Sequence, residues 1–264
     1  MRLARDGANL ISSNTDGLHS FGVGAGPTLR NVSLSFMGDD VLNFHNRVGL
    51  VLAATPPSTV LVIDVGDMPT PAGDARAPAR SFARITPGDT LRLSSPSGQS
   101  RGGLAVQAIA WSTDAAVTAA ARAAIAARPG VQVNPAGVGV WEMQLEGAGA
   151  AGVAVGDVVQ YDAAACVGAR VLDSYFSDAY DSCFRLQASG AQVSGNTWQR
   201  VPGGVSVVYD PAWLEGAADL ANVAVVGNAF RGVLWPPATS PQQLFTVDKS
   251  VVNFTQSGNA VFPS

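Results

Sequence analysis

Two short acidic segments hold the side chains best suited to chemistry. Asn14-Thr15-Asp16-Gly17-Leu18-His19 is followed by Met37-Gly38-Asp39-Asp40-Val41-Leu42-Asn43-Phe44-His45. Asp16 and Asp39 stand 23 residues apart. If each segment feeds a strand of one parallel sheet, matching points of neighbouring strands lie about 4.8 Å apart. Asp16 then aligns with Asp39, or with Asp40 if the register slips by one residue. Three carboxylates in so small a patch cannot all ionise cheaply, so at least one of them binds its proton more tightly than usual. A site that keeps one carboxyl protonated and another ionised can protonate a leaving oxygen and activate a water, which is the pair glycoside hydrolysis needs. Separations of about 6.5–9.5 Å between the two imply inversion, and about 5–5.5 Å retention.

Other chemistries compete for the same residues. Asp and Asn form turns and cap backbone groups in solenoids, and three carboxylates with an Asn are hard oxygen ligands of the kind Ca²⁺ takes. The two histidines of the chain weigh against a turn-forming role alone. His19 follows the first acidic segment and His45 the second, where both could donate to sugar hydroxyls. Asn14, Asn43 and Arg47 border the same segments and are assigned with them to substrate binding. A third segment, Tyr209-Asp210-Pro211-Ala212-Trp213-Leu214-Glu215-Gly216, lies in a loop. There Trp213 could stack on a sugar ring and Glu215 could bind hydroxyls.

The remaining motifs carry little. No Gly-x-Ser-x-Gly is present, and the string GVGAGP at 22–27 lacks the strand–loop–helix context of a dinucleotide site. Cys166 and Cys183 form no Cys-x-x-Cys and have no His beside them. They read as two buried thiols, with a disulfide between them as the alternative, rather than a zinc or redox site. No cofactor or metal is expected.

The elements that must position these residues are short strands. Apolar runs of three to five residues are broken by Gly, Asn, Asp or Pro. The one helical stretch is 113–128, Ala-rich, with Asp114 near its start and Pro129-Gly130 after its end. Near the ends of the chain a unit recurs: an apolar alternation, then Gly-Asn, then an aromatic or apolar residue. Asn196, Asn228 and Asn259 stand 32 and 31 residues apart, and Phe176 and Trp198 stand 22 apart. Imperfect strand-rich repeats of this size imply a solenoid of the parallel β-helix kind. Residues 53–165 break the rhythm. Gly-Asp turns precede PGDTLRL and VGDVVQY, which look like hairpin starts. The expected fold is therefore all-β: a right-handed parallel β-helix over 1–52 and 166–264, with a small antiparallel barrel or sandwich inserted at 53–165.

Bulk composition narrows the function. The chain has 264 residues, 47% hydrophobic and 14% charged, with a net charge of −4 and Lys249 as its only lysine. That supports a sizeable core and offers no basic face for nucleic acid. No apolar run is long enough to span a membrane, and MRLARDGANLISSNTDG lacks the apolar core of a signal peptide. The chain enters strand-like sequence at once, as a truncated reading frame would. An oligosaccharide is the expected partner, met outside the cell or in the periplasm. Nothing in the sequence bears on oligomeric state.

DGLH at 16–19 with MGDDVLNFH at 37–45 resembles glycoside hydrolase family 110. So do the inserted β-segment, the later W-x-E-G at 213–216, and NVAVVGNAF at 222–230. The resemblance is specific around 14–47 and 209–230. It implies a bacterial exo-α-1,3-galactosidase acting on terminal galactose with inversion, on a parallel β-helix carrying a β-barrel. It further implies Asp39 as general acid, with Asp16 and Asp40 positioning and deprotonating the water. Asp181-Ser182-Cys183-Phe184-Arg185 departs from the family, standing where an Arg-Gly step is expected. A polygalacturonase fits less well, because its Gly-His-Gly and Arg-Ile-Lys are absent. A polysaccharide lyase would need a Ca²⁺ site and a basic residue, for which Arg47 is the available candidate. A glycan-binding β-helix without catalysis is the remaining alternative.

Overall fold

In the computed structural model, which describes residues 2–3, 16–66, 81–180, 184–216, 220–233, 244–249 and 251–262, strands dominate. One α-helix is present among the described residues, as an all-β sequence with a single helical stretch requires. The helix is too short to cross a membrane, and no longer one occurs among those residues. The chain divides into two units. One comprises Met1–Asn46, Ala163–Val208 and Asp219–Ser264, the other Arg47–Asp162 and Tyr209–Ala218.

The first unit begins with β1 (Arg2–Leu3), β2 (Leu18–Phe21), β3 (Thr28–Arg30), β4 (Ser33–Ser35) and β5 (Leu42–His45). The second unit then supplies β6 (Gly49–Thr55), β7 (Thr59–Val65), β8 (Thr90–Ser94), β9 (Ser100–Trp111), α1 (Ala115–Ala126), β10 (Val138–Leu145) and β11 (Val158–Gln160). The chain returns to the first unit with β12 (Arg170–Leu172), β13 (Tyr175–Ser177), β14 (Phe184–Leu186), β15 (Gln192–Ser194), β16 (Thr197–Gln199) and β17 (Val205–Val207). It ends with β18 (Ala224–Val226), β19 (Ala229–Arg231), β20 (Phe245–Val247), β21 (Thr255–Ser257) and β22 (Ala260–Phe262).

These strands of the first unit form three parallel sheets, ordered β1-β4-β13-β16-β19-β22, β3-β12-β15-β18-β21 and β2-β5-β14-β17-β20. Each pass of chain, such as β12–β13–β14 or β15–β16–β17, places one strand in each sheet in the same sequence. The strands are short because a corner follows each. Between the first and second strand of successive passes, Asn31, Asp173, Gly195, Gly227 and Gly258 all have φ between 50° and 68°. Asn, Asp and Gly are the residue types that tolerate this left-handed region.

The Asn after that corner explains the Gly-Asn signature. Asn196 Nδ2 donates to Asn228 Oδ1 at 2.9 Å, and Asn228 Nδ2 donates to Asn259 Oδ1 at 3.0 Å. The same Oδ1 atoms accept from the backbone N–H of the preceding rung, Asn196 to Asn228 and Asn228 to Asn259, each at 3.0 Å. Both Asn196 and Asn228 are about 1% exposed, so their amides satisfy corner backbone that water cannot reach. Ser174 takes the equivalent place one pass earlier, accepting from Val32 N at 3.1 Å. Beside this ladder Phe176, Trp198 and Phe230 stack, with ring centroids 4.3 Å and 6.1 Å apart.

The second unit is a closed antiparallel barrel, ordered β10-β7-β6-β11-β8-β9. Asp114 caps α1, its Oδ1 accepting from Ala116 N at 2.7 Å, and buried Ala121 and Ile125 pack with Leu50, Ile63 and Val140. The Gly-Asp turn at Gly88 leads into a hairpin, since β8 pairs with β9. The turn at Gly156 does not. β10 already holds β7 and β9 on its two edges, so β11 pairs with β6 and β8 instead. Most of the Pro- and Ala-rich stretch, residues 67–80, lies outside the described residues.

The ladder makes a definite demand on stability. Asn228→Ala strips partners from the buried Asn196 N and Nδ2 and from Val193 O. A loss of roughly 3 kcal/mol is expected, since each buried polar group left unsatisfied costs about 1–3 kcal/mol. Chemical denaturation would measure it, and a loss below about 0.5 kcal/mol would show that the ladder is dispensable.

Candidate active site

The acidic segments meet where β2 pairs with β5. Leu18 pairs with Leu42, His19 with Asn43 and Phe21 with His45. Just before the strands, Gly17 N donates to Asp40 O at 2.9 Å. Asp16 is therefore level with Asp40, the one-residue slip that the sequence left open. Gly17 permits this approach. A Cβ there would lie 2.7 Å from both Met37 Sδ and Val41 O, which is why Gly follows Asp16.

Three carboxylates converge as a result. Asp16, Asp39 and Asp40 each offer an oxygen, and these oxygens all lie within 4.8 Å of one another. Asp39 Oδ1 accepts from Asp40 N at 3.0 Å. Asp40 is 3% exposed and lies 3.9 Å from Arg185 Nε. Asp16 Oδ2 is 3.2 Å from His19 Nδ1. No cationic side chain faces Asp39 among the described residues. Asn43 is buried, its side chain hydrogen-bonds Asp16, and its Oδ1 has no hydrogen-bond partner among the described residues.

The environment holds the Asp16 carboxyl above the usual carboxylate range. Burial, which penalises the charged form, is the largest cause, and the nearby Asp39 charge adds to it. His19, the hydrogen bond from Asn43, and Arg185 pull in the opposite direction. Asp16 is thus a stronger base than an exposed aspartate. The nearest oxygens of the cluster lie closer together than the roughly 6.5–9.5 Å that separates the carboxyl groups of an inverting acid–base pair.

One polar column carries these groups. His19, Asn43, Arg185, Ser206 and Thr246 occupy matching positions in β2, β5, β14, β17 and β20. The flanking columns, including Leu42, Phe44, Phe184, Leu186, Val205 and Val207, are buried. Arg185 is the functional candidate that sequence reasoning noticed only as a departure from a family pattern. Its position one strand after Asn43 becomes apparent once the second unit is removed from the count. Gln187 and Asn46 are also missed. Both are buried, and their side-chain amides have no hydrogen-bond partner among the described residues. Such groups mark polar space that a water or hydroxyl would satisfy.

The other expected site residues divide between the two units. His19, Asn43 and His45 stand with the carboxylates. Arg47, Trp213 and Glu215 belong to the second unit, where Arg47 Nη2 lies 3.5 Å from Glu215 Oε1 and Arg47 Nη1 donates to Trp213 O at 3.3 Å. Arg47 and Glu215 are nearly buried, while Trp213 is 38% exposed. Asn14 and Cys183 lie outside the described residues. Cys166 is a buried thiol that donates to His45 O at 3.2 Å. A half-open apolar cavity of about 220 Å³ between α1 and the barrel, lined by Leu50, Leu52, Ile63, Ile125, Arg128 and Val155, includes none of the carboxylates. Comparison with protein-family models and with curated proteins finds no match for this chain.

The raised affinity of Asp16 for its proton has a signed consequence. The folded protein binds that proton more tightly than the unfolded chain, so the ionised carboxylate costs stability at neutral pH. The cost disappears as pH falls below the unfolded value near 4. Asp16→Asn is expected to raise the melting temperature at pH 7 and to lose that advantage below about pH 4. A melting temperature that drops equally at both pH values would contradict this.

Proposed function

We propose that the chain is a glycoside hydrolase that removes terminal α-1,3-linked galactose by a carboxylate acid–base mechanism. On this view its first unit is a right-handed parallel β-helix and its second an inserted β-barrel. The β-helix reading is supported by the three parallel sheets with repeated strand order, the asparagine ladder and the stacked rings. The functional reading is carried by one observation, the approach of three carboxylate oxygens within 4.8 Å beside a polar column. The sugar and its linkage come from the resemblance of the two acidic segments to glycoside hydrolase family 110.

In this mechanism Asp39, the carboxyl without a cationic partner among the described residues, protonates the glycosidic oxygen. Asp16 and Asp40 hold a water between them and remove its proton. Two carboxylates sharing the water relax the need for it to fit between acid and base, so inversion is compatible with the tight cluster. Asp16 serves as the stronger base because burial raises its proton affinity. Arg185 balances Asp40, and Asn43, His19 and His45 are placed to bind sugar hydroxyls. The alternative of a cation site draws on the same oxygens and on Asn43 Oδ1.

The test is galactose release from an aryl α-galactoside and from Galα1,3Gal by the protein that carries this chain. Release is expected, unaffected by a chelator, with β-galactose as the first product seen by proton NMR. Asp39→Asn is expected to lower kcat by about 10²–10⁴-fold, the usual contribution of a general acid, with an unchanged melting profile. No release from either substrate, or full activity in Asp39→Asn, would sink the proposal. Chelator-sensitive binding of Ca²⁺ without hydrolysis would establish the cation site instead.

A further inference from the structure

Behind the carboxylates runs a chain of four groups. Asp16 Oδ2 lies 3.2 Å from His19 Nδ1. His19 Nε2 meets His45 Nε2, with ring centroids 4.7 Å apart and planes tilted by 41°. His45 Nδ1 then lies 3.0 Å from the carbonyl oxygen of Asn46. His45 is fully buried, whereas the His19 side chain is 40% exposed.

The polarity of these contacts counts protons. A carbonyl oxygen only accepts, so His45 Nδ1 must carry hydrogen. A neutral His45 then has only a lone pair on Nε2, and His19 Nε2 must donate to it. At its other edge His19 faces a carboxylate. That contact is satisfied by a second hydrogen on His19, making it an imidazolium, or by a proton on Asp16. If the charge sits on His45 instead, the total is unchanged. Every arrangement that satisfies all three contacts therefore holds one proton more than an ionised Asp16 with two neutral rings. Burying the charge on His45 is the costlier choice, so it falls between Asp16 and the more exposed His19.

We infer that His45 is a positioning residue, fixing the Asp16–His19–His45 chain at zero net charge and thereby removing one negative charge from the carboxylate cluster. The inference rests on the cluster's proposed catalytic role for its use, but not for its geometry. Asp39, Asn43 and Arg185 also act on Asp16. The ring of Phe21, 5.4 Å away, packs beside His45, and Cys166 Sγ donates to its backbone carbonyl. With Asp16 balanced by His19 and Asp40 by Arg185, Asp39 remains the carboxyl without a cationic partner among the described residues. His45 thus supports the division of labour between acid and base without touching the substrate.

Because the chain has only two histidines, nitrogen NMR of protein labelled in histidine reads the network without ambiguity. At neutral pH a coupling across the hydrogen bond is expected between the two Nε2 nuclei, with hydrogen on His45 Nδ1. His45→Gln should keep the hydrogen on His19 Nε2, since the Gln Oε1 accepts from it. His45→Leu should lose the Nε2 hydrogen-bond signature. Absence of the coupling in the native protein, with His45 bare at Nδ1, would overturn the inference whether or not the protein hydrolyses galactosides. Where hydrolysis is measured, His45→Leu should reduce kcat at pH 8 by at least tenfold with KM little changed, and His45→Gln should recover most of it. Equal kcat profiles for the native protein and His45→Leu would overturn the catalytic use of the chain.

Discussion

Side chains on adjacent parallel strands stack at a fixed spacing and alternate between the two faces of a sheet. In the β2-β5-β14-β17-β20 sheet that constraint orders the polar column of the site. The pairing of Leu18 with Leu42 commits His19, Asn43 and Arg185 to one column and leaves Leu42, Phe44, Phe184 and Leu186 to the core. A slip of one residue would exchange the two sets. It would bury His19 and Arg185 and expose two phenylalanines. The apolar core therefore enforces the geometry of the carboxylates, although it touches none of the chemistry.

That geometry is electrostatically costly and is offset locally. Asp16 gains His19 and the Asn43 amide, and Asp40 gains Arg185. Asp39 receives a backbone N–H from Asp40 but no cation among the described residues. The three carboxylates are thus chemically distinct despite their closeness, and distinct environments let neighbouring acids play different roles. Beside them, the buried Asn43 Oδ1 is left without a hydrogen-bond partner among the described residues.

Much of this was legible in the sequence because it is local. The Gly-Asn corners show as a repeated pair of residues, and the bounds of α1 follow from Asp114 and Pro129. The two acidic segments announce themselves by composition. What stayed hidden depends on partners far apart in the chain. Arg185 reaches Asp40 across the second unit, and Arg47 pairs with Glu215 over a similar distance. Spacing alone left Asp16 free to align with Asp39 or Asp40. The choice depends on packing around Gly17, where only a residue without a Cβ fits against Met37 and Val41. The link between His19 and His45 was invisible because the pairing places His45 opposite Phe21, not opposite His19.

The register at β2 and β5 is open to direct observation. A crystal structure of the protein at neutral pH should show Leu18 opposite Leu42, Asp16 level with Asp40, and the oxygens of Asp16, Asp39 and Asp40 converging on one side with His19 and Arg185. Asp16 level with Asp39, or the three carboxylates divided between the two faces of the sheet, would contradict the account.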